Sequence, residues 1–218
     1  TGMAALTGDK NTVVGDSAGN ALTSGGDNTV IGASAGAALT SSNNNVAIGF
    51  QALTTDTQGT KTVAIGVDAL LNQNQTTNTD TFNVAVGYFA GRDVTTGIEN
   101  TIIGGLAGDA LTDADFNTAV GQGALSTDTL GSKSTAIGQN ALALQNFTTA
   151  TDSFNTAVGF RAGLSVTTGR NNTLVGAEAG DAITTGLANT AVGHLALSSN
   201  TASKKNVAIG KDALRDFN

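Results

Sequence analysis

Apolar and polar positions alternate within a short segment that recurs from one end of the chain to the other. Its clearest copy, residues 117–121, reads Asn-Thr-Ala-Val-Gly. Successive copies are spaced by 17, 17, 17 and 21 residues, then by the same four steps again, then by 17 three times. A period of this length predicts a solenoid, in which each repeat forms one turn, or coil, stacked on the next. The glycines that end the copies are Gly15, Gly32, Gly49, Gly66, Gly87, Gly104, Gly121, Gly138, Gly159, Gly176, Gly193 and Gly210.

Each segment predicts a short β-strand, because its second and fourth positions are β-branched in every copy. Side chains two residues apart share a face of a strand. We therefore expect the fourth position to point into the coil and to form its core. The core candidates are Val14, Ile31, Ile48, Ile65, Val86, Ile103, Val120, Ile137, Val158, Val175, Val192 and Ile209.

The third position points to the opposite face and is also apolar in every copy. Monomers rarely expose a continuous apolar stripe larger than a few hundred Å², so other copies of the chain are expected to cover this face. Parallel packing around an axis keeps identical coils level and favours closed cyclic symmetry. The interface candidates are Val13, Val30, Ala47, Ala64, Ala85, Ile102, Ala119, Ala136, Ala157, Leu174, Ala191 and Ala208.

A second regularity groups the coils in fours. Three residues after each segment glycine the chain always has alanine, and the next residue is glycine in two coils and leucine in the following two. The glycine coils carry an aliphatic residue three positions later, which indicates one core site filled by two routes. We interpret 1–218 as a single repeat domain with a partial coil at 1–10 and four-coil units at 11–82, 83–154 and 155–218, the last truncated.

The composition agrees with thin coils. Aromatic residues make up 4% of the chain, charged residues 12% against about 25% in typical proteins, and proline is absent. The net charge of −7, without a large basic cluster, disfavours nucleic-acid binding. No stretch is apolar enough to predict insertion of this segment into a membrane.

Candidate chemistry is sparse. The chain has no cysteine and one histidine, His194, so neither a nucleophile with its base nor a cofactor site is predicted, and we expect no enzymatic activity. A calcium site needs several converging oxygens. The densest acidic group, and the weak candidate for such a site, is Asp109, Asp113 and Asp115.

Several copies of the segment carry a family resemblance. Residues 45–49, 62–66 and 206–210, each followed by alanine at the same offset, resemble the head repeats of trimeric autotransporter adhesins, the YadA-like head, and also repeat segments of bacteriophage tail fibres. The resemblance covers essentially the whole chain. It implies a left-handed parallel β-roll, two further copies of the chain in a parallel homotrimer, and adhesion to a host surface. The longer coils and the four-coil period depart from the family pattern.

The function expected from the sequence is therefore an extracellular rod segment on a bacterial surface or a virion fibre. Its variable turns, and above all the insertions at 71–82 and 143–154, would meet a host-surface glycan or protein receptor. Two alternatives remain open at this point: a purely mechanical spacer, and a polysaccharide-degrading fibre segment, which would need paired carboxylates.

Overall fold

The chain folds as a parallel β-solenoid of about twelve coils, which confirms the predicted all-β class. The computed structural model describes residues 7–216, so the first six residues of the predicted partial coil lie outside the described part. Within that part, the strands in chain order are β1 (Thr12–Val14), β2 (Thr29–Ile31), β3 (Val46–Ile48), β4 (Gly59–Thr60), β5 (Val63–Ile65), β6 (Thr79–Asp80), β7 (Val84–Val86), β8 (Thr101–Ile103), β9 (Thr118–Val120), β10 (Gly131–Ser132), β11 (Thr135–Ile137), β12 (Thr151–Asp152), β13 (Thr156–Val158), β14 (Thr173–Val175), β15 (Thr190–Val192) and β16 (Val207–Ile209).

Twelve of these strands form one sheet, with one strand from each coil. The order is β1-β2-β3-β5-β7-β8-β9-β11-β13-β14-β15-β16, and every pair is parallel. The register matches equivalent positions, so Ile102 lies beside Ala119 and Ile103 beside Val120. Two small sheets, β4-β6 and β10-β12, form only where a 21-residue coil carries its insertion.

The two faces of the main sheet are the reverse of the predicted ones. Eleven of the twelve third-position side chains are at most 1% exposed, and Val13 is half-buried against the same core. No fourth-position side chain is buried, and Val14 and Ile209 are 57% and 70% exposed. The prediction that the fourth position forms the core is therefore wrong. The third position cannot form an interface between copies, because it lies inside its own coil.

The reason for this reversal is the narrow interior of the coil. The third position shares that space with the invariant alanine and with the leucine or glycine that follows it, and the buried apolar members form one core cluster. A larger third-position residue occurs only in coils where glycine makes room. Cβ atoms on Gly108 and Gly91 would lie 3.5 and 2.9 Å from Ile102 Cδ1. The larger β-branched residues of the fourth position are placed outside because this interior has no space for them.

The predicted filling of one core site by two routes is confirmed. Leu214, in the last coil, is 39% exposed, but the other leucines of the described leucine coils, Leu53, Leu70, Leu125, Leu142 and Leu197, have no exposed surface. Neither do the aliphatic residues that replace them in the glycine coils, namely Leu22, Leu39, Val94, Leu111, Val166 and Ile183. The alternation therefore keeps the core filled through coils of different sequence.

The glycine that ends each strand is required by two independent constraints. Gly121 has φ of +128°, a conformation that side chains other than glycine's rarely adopt. A Cβ atom at Gly121 would also lie 2.6 Å from the carbonyl oxygen of Gly138 in the next coil. Any larger residue would push the two coils apart.

The asparagines that open the segments form a ladder of amides inside the stack. The Asn117 N–H donates to Asn100 Oδ1, Asn117 Nδ2 donates to the Gly131 carbonyl, and the Ser134 N–H donates to Asn117 Oδ1, each at 2.9 Å. One side chain thus serves backbone groups of two neighbouring coils. Buried backbone groups need such partners, which explains the recurrence of asparagine.

Candidate ligand-binding surface

The residue immediately before each ladder position forms an exposed column along one corner of the stack, which we call the corner column. All twelve members are exposed and have φ between +50° and +63°. Their side chains include lysine, acids, amides, alanine and phenylalanine, in contrast to the uniform interior. The members are Lys10, Asp27, Asn44, Lys61, Phe82, Glu99, Phe116, Lys133, Phe154, Asn171, Ala188 and Lys205.

In the second unit the corner column carries a cation between two aromatic rings. The Lys133 ammonium lies 6.0 Å from the ring centre of Phe116 and 5.4 Å from that of Phe154. It also forms an ion pair with Asp152 Oδ2 at 2.6 Å. These contacts join three consecutive coils at the surface, where each contributes modestly to stability.

The insertion of the second unit is anchored by a buried carboxylate, Asp128. Its Oδ1 accepts hydrogen bonds from the N–H groups of Gly131 and Phe147, and its Oδ2 accepts one from Gln145 Nε2 at 2.5 Å. Gln145 in turn accepts from Asn155 Nδ2 at 2.8 Å, and the hydroxyls of Ser134 and Ser153 bond to each other. This network takes the place of one asparagine of the ladder and fixes both ends of the insertion.

The first unit repeats the network with Asp56 in the place of Asp128. Asp56 accepts from the N–H groups of Gly59 and Gln75 and from Gln73 Nε2. Burial raises the pKa of both aspartates above the ordinary value, although the hydrogen bonds act in the opposite direction. Both side chains are fully buried, so no substrate can reach them, and their role is structural.

Beside the second insertion lies an open cavity of about 730 Å³, which we call the insertion cavity. Its wall crosses four successive coils, and Phe154 of the corner column forms part of it. The lining consists of Asp113, Asp115, Ser132, residues 150–152, Phe154, Arg170 and Asn171.

The three carboxylates of the insertion cavity are each fixed through one oxygen. Asp113 Oδ1 accepts from the Thr96 hydroxyl at 2.5 Å, Asp115 Oδ1 accepts from the Ile98 N–H at 2.8 Å, and Asp152 Oδ2 holds Lys133. Their second oxygens have no hydrogen-bond partner within residues 7–216. In the same part of the chain, the Arg170 guanidinium and the Asn171 side-chain amide also lack partners.

The predicted calcium group is not assembled. Asp113 and Asp115 lie in the insertion cavity, whereas Asp109 is outside its lining, near Arg92 and Asp93, and desolvation raises its pKa. Across residues 7–216, no group of three or more histidine, cysteine or acidic side chains has the arrangement needed to hold a metal ion. The candidate metal site is therefore wrong.

The remaining expectations from the sequence concern His194 and a membrane span. His194 is exposed, and its ring makes no hydrogen bond within the described residues. Over the same residues, no helix has the length and apolar character needed to cross a membrane.

Neither the corner column nor the insertion cavity was predicted from the sequence, although the period contained the signal. Adding successive coil lengths to Asp115 gives Ser132, Ser153 and Arg170, so these positions had to be stacked. The Asp115 N–H indeed donates to Ser132 Oγ at 3.0 Å.

Comparisons of the chain with family models, with curated proteins and with solved structures find no match.

Proposed function

We propose that this chain is a segment of an extracellular, homotrimeric attachment rod without enzymatic activity. Three parallel copies pack through the fourth-position side chains of the main sheet, and the corner column and the insertions remain free to contact a target. The rod belongs to a bacterial surface or a virion fibre, as the resemblance of its repeats implies, and its target is a glycan or a protein on a host surface.

The observation that carries this proposal is the apolar outer face of the main sheet. Valine or isoleucine stands at the fourth position in all twelve coils, and none of these side chains is buried within its own chain. Threonine or valine at the second position continues the same face. A continuous stripe of this length on a monomer would exceed the apolar patches that soluble proteins normally leave in water.

A neighbouring column extends this apolar surface in some coils. The residue after the segment glycine is exposed as Phe50, Val67, Tyr88 and Phe160, with 39% to 55% of each side chain accessible. Large aromatic side chains are typical of the centres of protein interfaces. Together with the stripe, they supply on the order of 1,000 Å² per chain, the range of specific and stable interfaces.

A second copy of the chain is the partner that fits this face best. The fourth-position valines and isoleucines, which we call the outer stripe, are regularly spaced over twelve coils. A partner with the same period can therefore match them along the whole length. Parallel chains around a common axis keep equivalent coils level and close without leaving an open side. The resemblance of the repeats to trimeric heads selects three copies.

Attachment is favoured over a mechanical spacer because the exposed corners are chemically diverse. A spacer needs only solubility, whereas the corner column combines exposed aromatic rings, cations and acids in particular coils. The degrading enzyme is disfavoured because Asp56 and Asp128, the buried carboxylates whose pKa is raised, are inaccessible to a substrate.

Light scattering on the purified chain tests the assembly. We expect a mass near three chains, and we expect Ile103→Lys with Ile137→Lys to dissociate the trimer by placing charges on the outer stripe. The matched control is Asn44→Lys with Ala188→Lys, which adds the same charge to the corner column, where lysine occurs naturally. A stable, folded monomer of the unmodified chain at low micromolar concentration would refute the trimer.

Attachment is tested separately, with fluorescently labelled chain incubated with whole bacterial and animal cells. Binding that saturates and is competed by unlabelled chain supports an attachment rod. A trimer that binds none of the cells would indicate a spacer, and release of reducing sugar from a polysaccharide would indicate an enzyme.

A further inference from the structure

We propose that the insertion cavity binds a neutral hexopyranose unit of a surface glycan. This inference rests on the proposed attachment function and names the ligand class and the residues involved. The cavity is concave, crosses four coils and combines one aromatic ring with several polar groups, so it offers both apolar contact and hydrogen-bonding partners to a ligand.

The free oxygens of the cavity favour a ligand that carries many hydroxyl donors. Asp113, Asp115 and Asp152 each use one oxygen within the protein, which fixes the orientation of the side chain and leaves the second oxygen as an acceptor. Carboxylates accept strong hydrogen bonds from hydroxyl groups. Three fixed acceptors in one cavity therefore suit a polyol better than an apolar or an acceptor-rich ligand.

Arg170 and Asn171 supply the complementary donors. Both side chains are exposed, both line the cavity, and neither has a partner within residues 7–216. A sugar hydroxyl donates one hydrogen bond and accepts others, so it can bridge a carboxylate on one wall and an amide or guanidinium on another. Such a bridge would satisfy donors and acceptors that the protein alone leaves open.

Phe154 supplies the apolar surface on which a pyranose ring can pack. Its side chain is 53% exposed, and the contact with Lys133 and the fixed insertion hold its position. The C–H face of a hexopyranose is apolar, whereas its hydroxyl rim is polar, and the cavity presents both kinds of surface in the same place.

The charge balance selects a neutral sugar. Three aspartates and Arg170 line the cavity, and Lys133 is paired with Asp152, so the region is not cationic. An anionic sugar could pair with Arg170, but it would lose the hydration of its charge and approach Asp113 and Asp115, which have no cationic partner within residues 7–216. Sialic and uronic acids are therefore expected to bind less well than neutral hexoses.

The first unit provides a built-in control, because the same position there lacks most of this chemistry. The residues 72 positions earlier keep Phe82 and the Lys61–Asp80 pair, but Asp113 and Asp115 correspond to Ser41 and Asn43, and Arg170 to Ile98. The Gly26 N–H donates to Asn43 Oδ1 at 2.8 Å, just as the Ile98 N–H donates to Asp115. We therefore expect substitution by the residues of the first unit to preserve the fold.

The experiment is an NMR titration of the isotope-labelled chain with methyl glycosides of glucose, galactose and mannose, and with N-acetylneuraminic acid. We expect at least one neutral glycoside to shift the signals of the Arg170 and Asn171 side chains in a saturable manner. Phe154→Ala should weaken this binding by about ten-fold or more, whereas Phe82→Ala should leave it unchanged. The combination of Asp113→Ser, Asp115→Asn and Arg170→Ile should abolish it.

Each contrary result overturns the inference. Absence of saturable shifts with every neutral glycoside, equal loss in Phe82→Ala and Phe154→Ala, or a preference for N-acetylneuraminic acid would do so. If the trimer binds cells and the triple variant binds them equally well, attachment stands and this site is wrong. If the chain binds the glycoside but fails to form trimers or to attach to cells, the site stands and the proposed function is wrong.

Discussion

Ile102 and Ile103 are neighbours in strand β8 with the same side chain and opposite surroundings. Ile102 has no exposed surface and lies among the residues that fill the coil. Ile103 is 39% exposed and belongs to the outer stripe. The pair shows that in this solenoid a large β-branched residue does not identify the inward-facing position of a strand. At the third position of the segment, the interior admits mostly alanine, and a larger residue only in coils where a glycine leaves space.

The largest expected effect comes from introducing a charge on the inner face. Ile102→Asp buries a carboxylate without a partner between two coils that cannot separate, and it should lower the free energy of unfolding by more than about 4 kcal/mol. Denaturation followed by circular dichroism measures this loss.

Ile103→Asp is the matched substitution on the outer face. It should keep the β-sheet spectrum and act mainly on the mass measured by light scattering, because its side chain faces away from the core. Equal loss of folded structure in Ile102→Asp and Ile103→Asp would contradict the assignment of the two faces.

A smaller but still substantial effect is expected from the polar part of the interior. Asn117→Ala removes the partners of the Ser134 N–H and the Gly131 carbonyl while leaving the backbone in place. Two unsatisfied buried groups should lower the free energy of unfolding by roughly 2 to 5 kcal/mol. Asn44→Ala is the control, since Asn44 is exposed and the same column tolerates Ala188. Urea denaturation of both variants checks the difference, and similar midpoints would argue against the ladder.

The smallest predicted effect concerns pH and the buried aspartates of the two insertions. Burial raises the pKa of Asp56 and Asp128 in the folded chain, so the folded state binds protons more tightly than the unfolded state. Their contribution to stability is therefore fully present below the ordinary pKa of 3.8 and is lost as the pH rises towards the raised value. Stability measured from about pH 4 upward should fall for this reason.

Asp56→Asn with Asp128→Asn should flatten that pH dependence. Asn200 occupies the equivalent place in the third unit and accepts the Ser203 N–H at 2.9 Å, so the substitution keeps the main acceptor. The control is Asp9→Asn with Asp16→Asn, which changes the net charge equally at exposed positions. A slope that is the same in the two double variants would show that the buried carboxylates do not cause it.

Much of the fold was predictable because the sequence repeats with a regular period. The spacing of Gly15 to Gly210, the invariant alanine and the exchange of leucine for glycine define the coil and its core without reference to any neighbour in space. Which face of each strand lies inside the coil was not predictable in the same way. Both faces are apolar, so the alternation of period two has no polar side to fix it, and a shift of one residue exchanges inside and outside.

The candidate site was less accessible to prediction because its parts are distant in sequence. Asp113 and Arg170 line the same cavity, but this follows from the sequence only when the lengths of three coils, one of which carries an insertion, are added correctly. Whether Asp115 has a free oxygen depends on a hydrogen bond to Ile98 in another coil, which no local pattern encodes. The Asp56–Gln73 and Asp128–Gln145 pairs could have been found, because both members recur 72 residues apart in the first two units.

The parallel stack also has a mechanical consequence. Because each strand of the main sheet pairs only with the strands of adjacent coils, a force that pulls the two ends of an isolated chain apart loads these coil junctions one after another. A coil that detaches releases 17 residues, or about 55 to 60 Å of extended chain, and an inserted coil releases 21 residues, or about 70 to 75 Å. The chain would therefore lengthen in a repeating pattern of three short steps and one long step. Its extension under load would follow the spacing of the segment glycines.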